Sequence, residues 1–154
     1  MNWSLDILRA VPEMEDQIFT LFRVLAEEQE SAFFHPHPFT SEQASIIANY
    51  SGKDFYAFVL HNGSAIGYGM LRGWDEGYAI PSLGLSVHPD FRGAGLGRLL
   101  VQYLHVVASL RDCRIVRLRV RKDNYRAKRL YEMQGYRFEE DHEEYLTGYI
   151  HLKP

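Results

Sequence analysis

One stretch of this 154-residue chain concentrates groups suited to holding an anion. Residues Leu83 to Arg92 read as an apolar strand running into a turn, and Gly93, Gly95 and Gly97 follow at once. Glycines at the mouth of a helix let backbone N–H groups converge, and the helix dipole adds positive potential there, an arrangement that binds phosphate. Spacing decides among phosphate ligands. A nucleoside-triphosphate loop needs Gly-Lys-Ser/Thr, which the sequence lacks. A dinucleotide fingerprint needs Gly-x-Gly-x-x-Gly, and here the last glycine comes one residue too early. Charge supports an anionic ligand. Between Arg92 and Arg137 stand 12 Lys and Arg against three acids, while the rest of the chain carries five basic and 17 acidic residues. That asymmetry predicts a positive face on an otherwise acidic molecule.

The same residues carry a family likeness. Arg92-x-x-Gly95-x-Gly97, following a strand that ends Val87-x-Pro89, matches the Gln/Arg-x-x-Gly-x-Gly/Ala signature of the GNAT superfamily of N-acetyltransferases. Further on, Asn124-x-x-Ala127-x-x-Leu130-Tyr131-x-x-x-Gly135-Tyr136 resembles the family's second signature, Asn-x-x-Ala-x-x-Leu-Tyr-x-x-x-Gly-Phe. The resemblance implies an acyltransferase that moves an acetyl group from acetyl-CoA directly to a primary amine within a ternary complex. It implies that Arg92 opens a loop whose amides, from Gly93, Ala94, Gly95, Leu96, Gly97 and Arg98, receive the pyrophosphate. The pantetheine arm would lie between Leu85-Ser86-Val87 and the Asn124 region, with a backbone N–H near Leu85 or Val87 polarising the thioester carbonyl. Tyr131 matches the tyrosine that protonates the departing thiolate, and a phenol keeps its proton at neutral pH.

The base is less plainly marked. The stretch Leu118-Arg119-Val120-Arg121 resembles one in ribosomal-protein N-terminal acetyltransferases, whose second position is typically a glutamate base; here it is Arg119, which cannot deprotonate an amine. That departure points away from N-terminal peptide or protein acetylation, the alternative acceptor class. An inward-facing Arg119 would suit a carboxylate or phosphate on the acceptor. Base candidates are His35 and His37, in the aromatic Phe33–Phe39 loop, and Glu76, with Tyr78 and Ser82 behind them. Phe34 and Arg119 are the expected acceptor contacts, and an amino sugar or amino acid-like small molecule the expected acceptor. A non-catalytic acyl-CoA-binding module would share the glycine loop without needing Tyr131.

These groups need elements to hold them. Asn2–Arg9 alternates as a strand, and Pro12 opens a helix with Ile18, Leu21, Phe22 and Leu25 at helical spacing. Thr40 and Gln43 start a second helix running to about Tyr50. Strands Asp54–His61 and Ala65–Arg72 flank an Asn62-Gly63 hairpin turn, and a third strand runs from about Ala79 to His88. A long helix follows to about Arg111, with an apolar face of Leu96, Leu99, Leu100, Tyr103, Leu104, Val107 and Leu110. Then come strand Cys113–Arg121, helix Asn124–Gln134 stopped by Gly135, and strands Tyr136–Phe138 and Glu144–Leu152.

This order, with the resemblance, predicts a mixed α/β (α+β) fold in one domain, residues 1–154. Its twisted sheet has about seven mostly antiparallel strands, four flanking helices and two splayed parallel strands at the centre. With 46% apolar residues the chain can bury one substantial core, which excludes a disordered or fibrous class. A pI of about 6.1 argues against a basic nucleic-acid binder. No apolar run reaches the ~18 residues of a membrane helix, and the first residues lack a signal pattern, so a cytoplasmic protein is expected. One cysteine, Cys113, excludes an internal disulfide and reads as core. Seven scattered histidines suggest no metal site. The aromatic stretch from Tyr145 to Ile150 would allow a homodimer through the C-terminal strands.

Overall fold

The structure, a computed structural model, describes residues 2–28 and 36–153. Strand β1 (Leu5–Arg9) leads through a single 3-10 turn at Pro12–Met14 into helix α1 (Glu15–Glu27). Helix α2 (Ser41–Ala48) begins at Thr40, whose hydroxyl accepts the Gln43 amide at 3.1 Å, a cap that stabilises a helix by about 1 kcal/mol. Strands β2 (Phe55–His61) and β3 (Ser64–Arg72) meet at Asn62 and Gly63. Both residues have positive φ, 49° and 82°, as the tight right-twisted hairpin turn requires.

After β4 (Ser82–Val87) the chain enters α3 (Leu96–Leu110), β5 (Ile115–Arg121), α4 (Tyr125–Met133), β6 (Arg137–Glu140) and β7 (Tyr145–His151). The seven strands form one sheet in the order β1-β2-β3-β4-β5-β7-β6. Every neighbouring pair is antiparallel except β4 and β5, which the α3 crossover makes parallel. Their ladder holds a single paired position, Ser82 with Arg117. Past that point the two central strands part.

Alternation along the strands sends side chains to two helical layers. Tyr68 and Met70 of β3 join Phe58 in packing against Ile18, Leu21, Phe22 and Leu25 of α1 and Ile47 of α2. On the other face Leu71, Leu83, Val116, Leu118 and Val120 pack against Val101 and Leu104 of α3 and Tyr131 of α4. Between them Gly69 lets α3 approach the sheet, since a Cβ there would meet Leu104 Cδ1 at 2.8 Å. The apolar face expected for α3 is trimmed at two places: Leu99 is 38% and Leu110 81% exposed, while Val101 is fully buried instead. Leu110 is the last residue of the helix. Cys113 is buried and free, its thiol donating to the Ile115 carbonyl.

Candidate active site

Helix α3 starts at Gly95, a left-handed N-cap residue (φ 95°), and Gly93 before it has φ 83°. Neither position faces any atom within 4 Å of an added Cβ, so the glycines are there for their backbone conformation, not for space. The turn opens onto a cleft of about 300 Å³, walled by the end of β4 and the first turns of α4. Leu85, Ser86, Val87, Arg92, Gly93, Gly95, Leu96, Gly97, Arg98 and Asn124 all line it, and Ala94 does not. Sequence reasoning missed Phe91, Arg126, Ala127 and Leu130, which complete the wall. The last two were already legible as the apolar side of α4. Asn124 caps α4, its side-chain oxygen accepting the Ala127 amide at 3.3 Å.

Arg92 does more than open a motif. Its Nε donates to the Val87 carbonyl at 3.1 Å, and both terminal nitrogens donate to the Glu28 carboxylate in a bidentate pair. The C-cap residue of α1 is thereby fastened to the glycine turn.

A second cleft, of about 900 Å³, lies over the closed part of the notch between β4 and β5. Pro36, Met70, Arg72, Gly73, Glu76, Tyr78, Ser82, Arg117, Arg119, Tyr145 and Tyr149 contribute to its lining. Glu76 sits on a turn held from below: the buried Asp54 carboxylate accepts the amides of Gly73 at 3.0 Å and Asp75 at 3.2 Å. Among the described residues Glu76 is the only carboxylate of the cleft lining. Arg119 lines it too, with Nε on Asp141 at 2.7 Å and the guanidinium 4.3 Å over the Tyr145 ring. The Thr147 hydroxyl and Arg119 together hold the Asp141 carboxyl below the usual carboxylate range.

The remaining sequence candidates fall elsewhere. Phe34 and His35 lie outside the described residues. His37 is packed against Phe22 and Phe39 and is not part of either cleft lining. Its Nδ1 faces the Pro38 carbonyl at 2.8 Å and its Nε2 the Tyr68 hydroxyl at 3.1 Å. Nδ1 donates to that carbonyl and Nε2 is engaged with the tyrosine hydroxyl, and burial lowers the ring's pKa. Tyr131 lines neither cleft: it lies one residue past Leu130 and is 7% exposed, edge-on to Tyr136 at 5.7 Å. Burial alone raises its phenol pKa above the ordinary value, so the proton stays on.

A splayed sheet with a glycine turn at the notch is the architecture of an acyl-transferring enzyme, and similarity to known proteins agrees. The model of the acetyltransferase (GNAT) family matches residues 21–136, and the chain belongs to that family of acyltransferase enzymes. An acetyltransferase of Pectobacterium atrosepticum is 34% identical over 83 residues, covering 54% of this chain. The matched stretch spans 57% of that curated relative's length, a little over half. A GNAT-family acetyltransferase structure from Streptococcus pneumoniae superposes with a TM-score of 0.79 at 20% identity, covering 97% of this chain and 100% of that one. The PaiA N-acetyltransferase of Thermoplasma acidophilum, solved in complex with coenzyme A, gives 0.79 at 12% identity over 96% and 99%. At such identities the likeness concerns the fold.

Among the described residues no helix is long and apolar enough to cross a membrane.

Proposed function

We propose that residues 1–154 act as one catalytic domain that transfers an acetyl group from acetyl-CoA to a primary amine on a small polar acceptor. The observation that carries this reading is the glycine turn: two positive-φ glycines at the start of a 15-residue helix, opening onto a cleft beside the parted strands. The first amides of α3 have no partners within the helix and suit a pyrophosphate. The Thermoplasma relative that binds coenzyme A shares this fold, which adds support. Arg98 and Arg126 place positive charge at the same cleft. The side of Leu85–Val87 turned away from β3, which has no β5 partner, suits a strand-like pantetheine arm.

The chemistry then uses groups on both sides of the notch. The acceptor nitrogen attacks the thioester carbonyl carbon while a backbone N–H near Leu85 or Val87 steadies the developing oxyanion. As the C–S bond breaks, Tyr131 gives its proton to the sulfur, and Glu76 takes the proton lost by the amine, directly or through a water. Solvent exchange restores both groups. Glu76 is favoured over His37 because it lines the second cleft, whereas both nitrogens of His37 are engaged.

The test is acetyl-CoA-dependent thiol release across amino sugars, amino acids, polyamines and N-terminal peptides, run beside Glu76→Gln. Release with small amines that falls ~10²-fold in the variant at neutral pH supports the reading. Release with peptides alone would transfer the protein to the N-terminal acetylating class. Acetyl-CoA binding with no release for any amine would favour a binding module.

A further inference from the structure

Three guanidiniums, from Arg72, Arg117 and Arg119, share the lining of the second cleft, and they are not equivalent. Arg119 is already matched by Asp141 and stacked on Tyr145. Arg117 adds to the field on the same Asp141 carboxylate but makes no ion pair among the described residues. Its Nε is buried and has no hydrogen-bond partner among the described residues. A permanent cation in the cleft lining that makes no hydrogen bond or ion pair among the described residues suits an anionic ligand entering from the cleft.

The ladder says where that donor stands. Arg72 pairs with Ser82, Ser82 with Arg117, and Arg117 with Tyr149, so these four residues form one row across four adjacent strands. Residues directly opposite one another point to the same face. Strand spacing sets the backbones of Arg72 and Arg117 about 10 Å apart with the serine between them, within reach of two long side chains converging on one group. Arg72 uses one N–H on the Pro36 carbonyl at 2.7 Å, and its guanidinium carries others. The row lies at the last closed rung, beside the point where the central strands part.

Resting on the acyl-transfer reading above, we propose that the acceptor amine carries an oxyanion, a carboxylate or a phosphate, gripped by Arg117 and Arg72 over Ser82. Guanidinium forks bind either oxyanion through paired N–H donors. The acceptor's other end, bearing the amine, then faces Glu76. The same field repels polycationic amines.

The experiment uses matched acceptors: amino acids against their carboxamides, glucosamine 6-phosphate against glucosamine, and spermidine as the cation. The anionic member of a pair is expected to exceed its neutral partner ~10-fold or more in kcat/KM. Arg117→Gln should collapse that ratio through KM, with the KM for acetyl-CoA held, and Arg117→Lys should recover part of it. Neutral members equal to anionic ones, spermidine as the best acceptor, or a ratio that survives Arg117→Gln would each overturn the proposal. The two pairs separate carboxylate from phosphate.

A second measurement is independent of turnover. In arginine-labelled protein the Arg117 Nε–H resonance, identified by its loss in Arg117→Gln, should shift on titration with inorganic phosphate or acetate. No shift with either overturns the anion site. A shift without thiol release from any amine keeps the anion site and removes the acyl-transfer reading, so the two fail separately.

Discussion

At the start of α3 the proposed donor surface is backbone, shaped by Gly93 and Gly95 in positive φ, whereas the second cleft is lined by the side chains of Arg72, Glu76, Arg117, Arg119, Tyr145 and Tyr149. The first surface is made within a few consecutive residues. The second is assembled from β3, β4, β5, β7 and the turn after β3, so no short segment contains it. A site made of amides tolerates side-chain change but not conformational change. A site made of side chains has the opposite sensitivity, and this is how one fold can keep a common donor while changing its acceptor.

The comparison can be broken by substitution, beginning where the effect should be largest. Tyr131 lines neither cleft but is the proposed acid for the departing thiolate, so Tyr131→Phe is expected to cut kcat ~10²-fold or more while calorimetry finds acetyl-CoA affinity within about twofold. Wild-type turnover would leave Tyr131 as packing only. Next comes Gly95→Ala. With open space around the new methyl, its cost is purely conformational, about 1–2 kcal/mol, or ~10-fold in acetyl-CoA affinity. Arg98→Ala, on the same turn, should change affinity by less than about threefold, because its exposed side chain contributes screened charge alone. The reverse ranking would mean that the donor cleft is read by side chains after all.

Glu28→Gln tests how the two regions are tied. The Arg92–Glu28 pair is partly buried, with side-chain exposures of 19% and 15%, and it fastens α1 to the glycine turn. Its loss should lower kcat/KM for acetyl-CoA and for the acceptor together, by roughly 3–10-fold each. An effect on one substrate alone would show that the clefts are independent.

The smallest effect concerns stability. His105 Nε2 meets the Tyr136 hydroxyl at 2.8 Å between α3 and the start of β6, and burial lowers its pKa to about 4. An unfolded chain takes up that proton near the ordinary value of 6.5, so the contribution is complete above that pH and is lost as pH falls from there towards 4. Thermal denaturation should show Tm falling by a few degrees over that window, and His105→Gln should flatten part of the slope. His37, also lowered by burial, keeps the remainder with the same sign.

Much of the fold could be read from sequence because its signals are local. Thr40 capping α2, Asn62-Gly63 turning β2 into β3, and Gly135 closing α4 each set a boundary within a residue or two of the expected one. Strand ends were less legible: β4 begins at Ser82 and β1 at Leu5, because apolar alternation continues into neighbouring turns where no partner strand remains. The insertion of β7 between β5 and β6 has no local signature at all, since pairing is decided by packing across the sheet. The glycine turn could be read from its spacing, and Leu85–Val87 and Asn124 from the family resemblance, whereas Phe91 and Arg126 could not. Arg117 and Arg72 could not, because only the ladder through Ser82 brings them into one row. Arg119 could be read as facing the cleft, but nothing near it in sequence announced Asp141 as its partner.

The single rung between β4 and β5 has a consequence for how the protein behaves in a crowd. Unpaired strand edges recruit strands from other chains, and proteins usually blunt them with charge, proline or a covering segment. Here two such edges are turned inward to face one another, in a notch backed by α3 and α4. A polypeptide strand entering between them would bring side chains on both of its faces, one set driven into the helical layer. A thin, unbranched chain brings none. The notch therefore sorts visitors by thickness, and an opening fit only for a slender ligand keeps the sheet from growing into its neighbours.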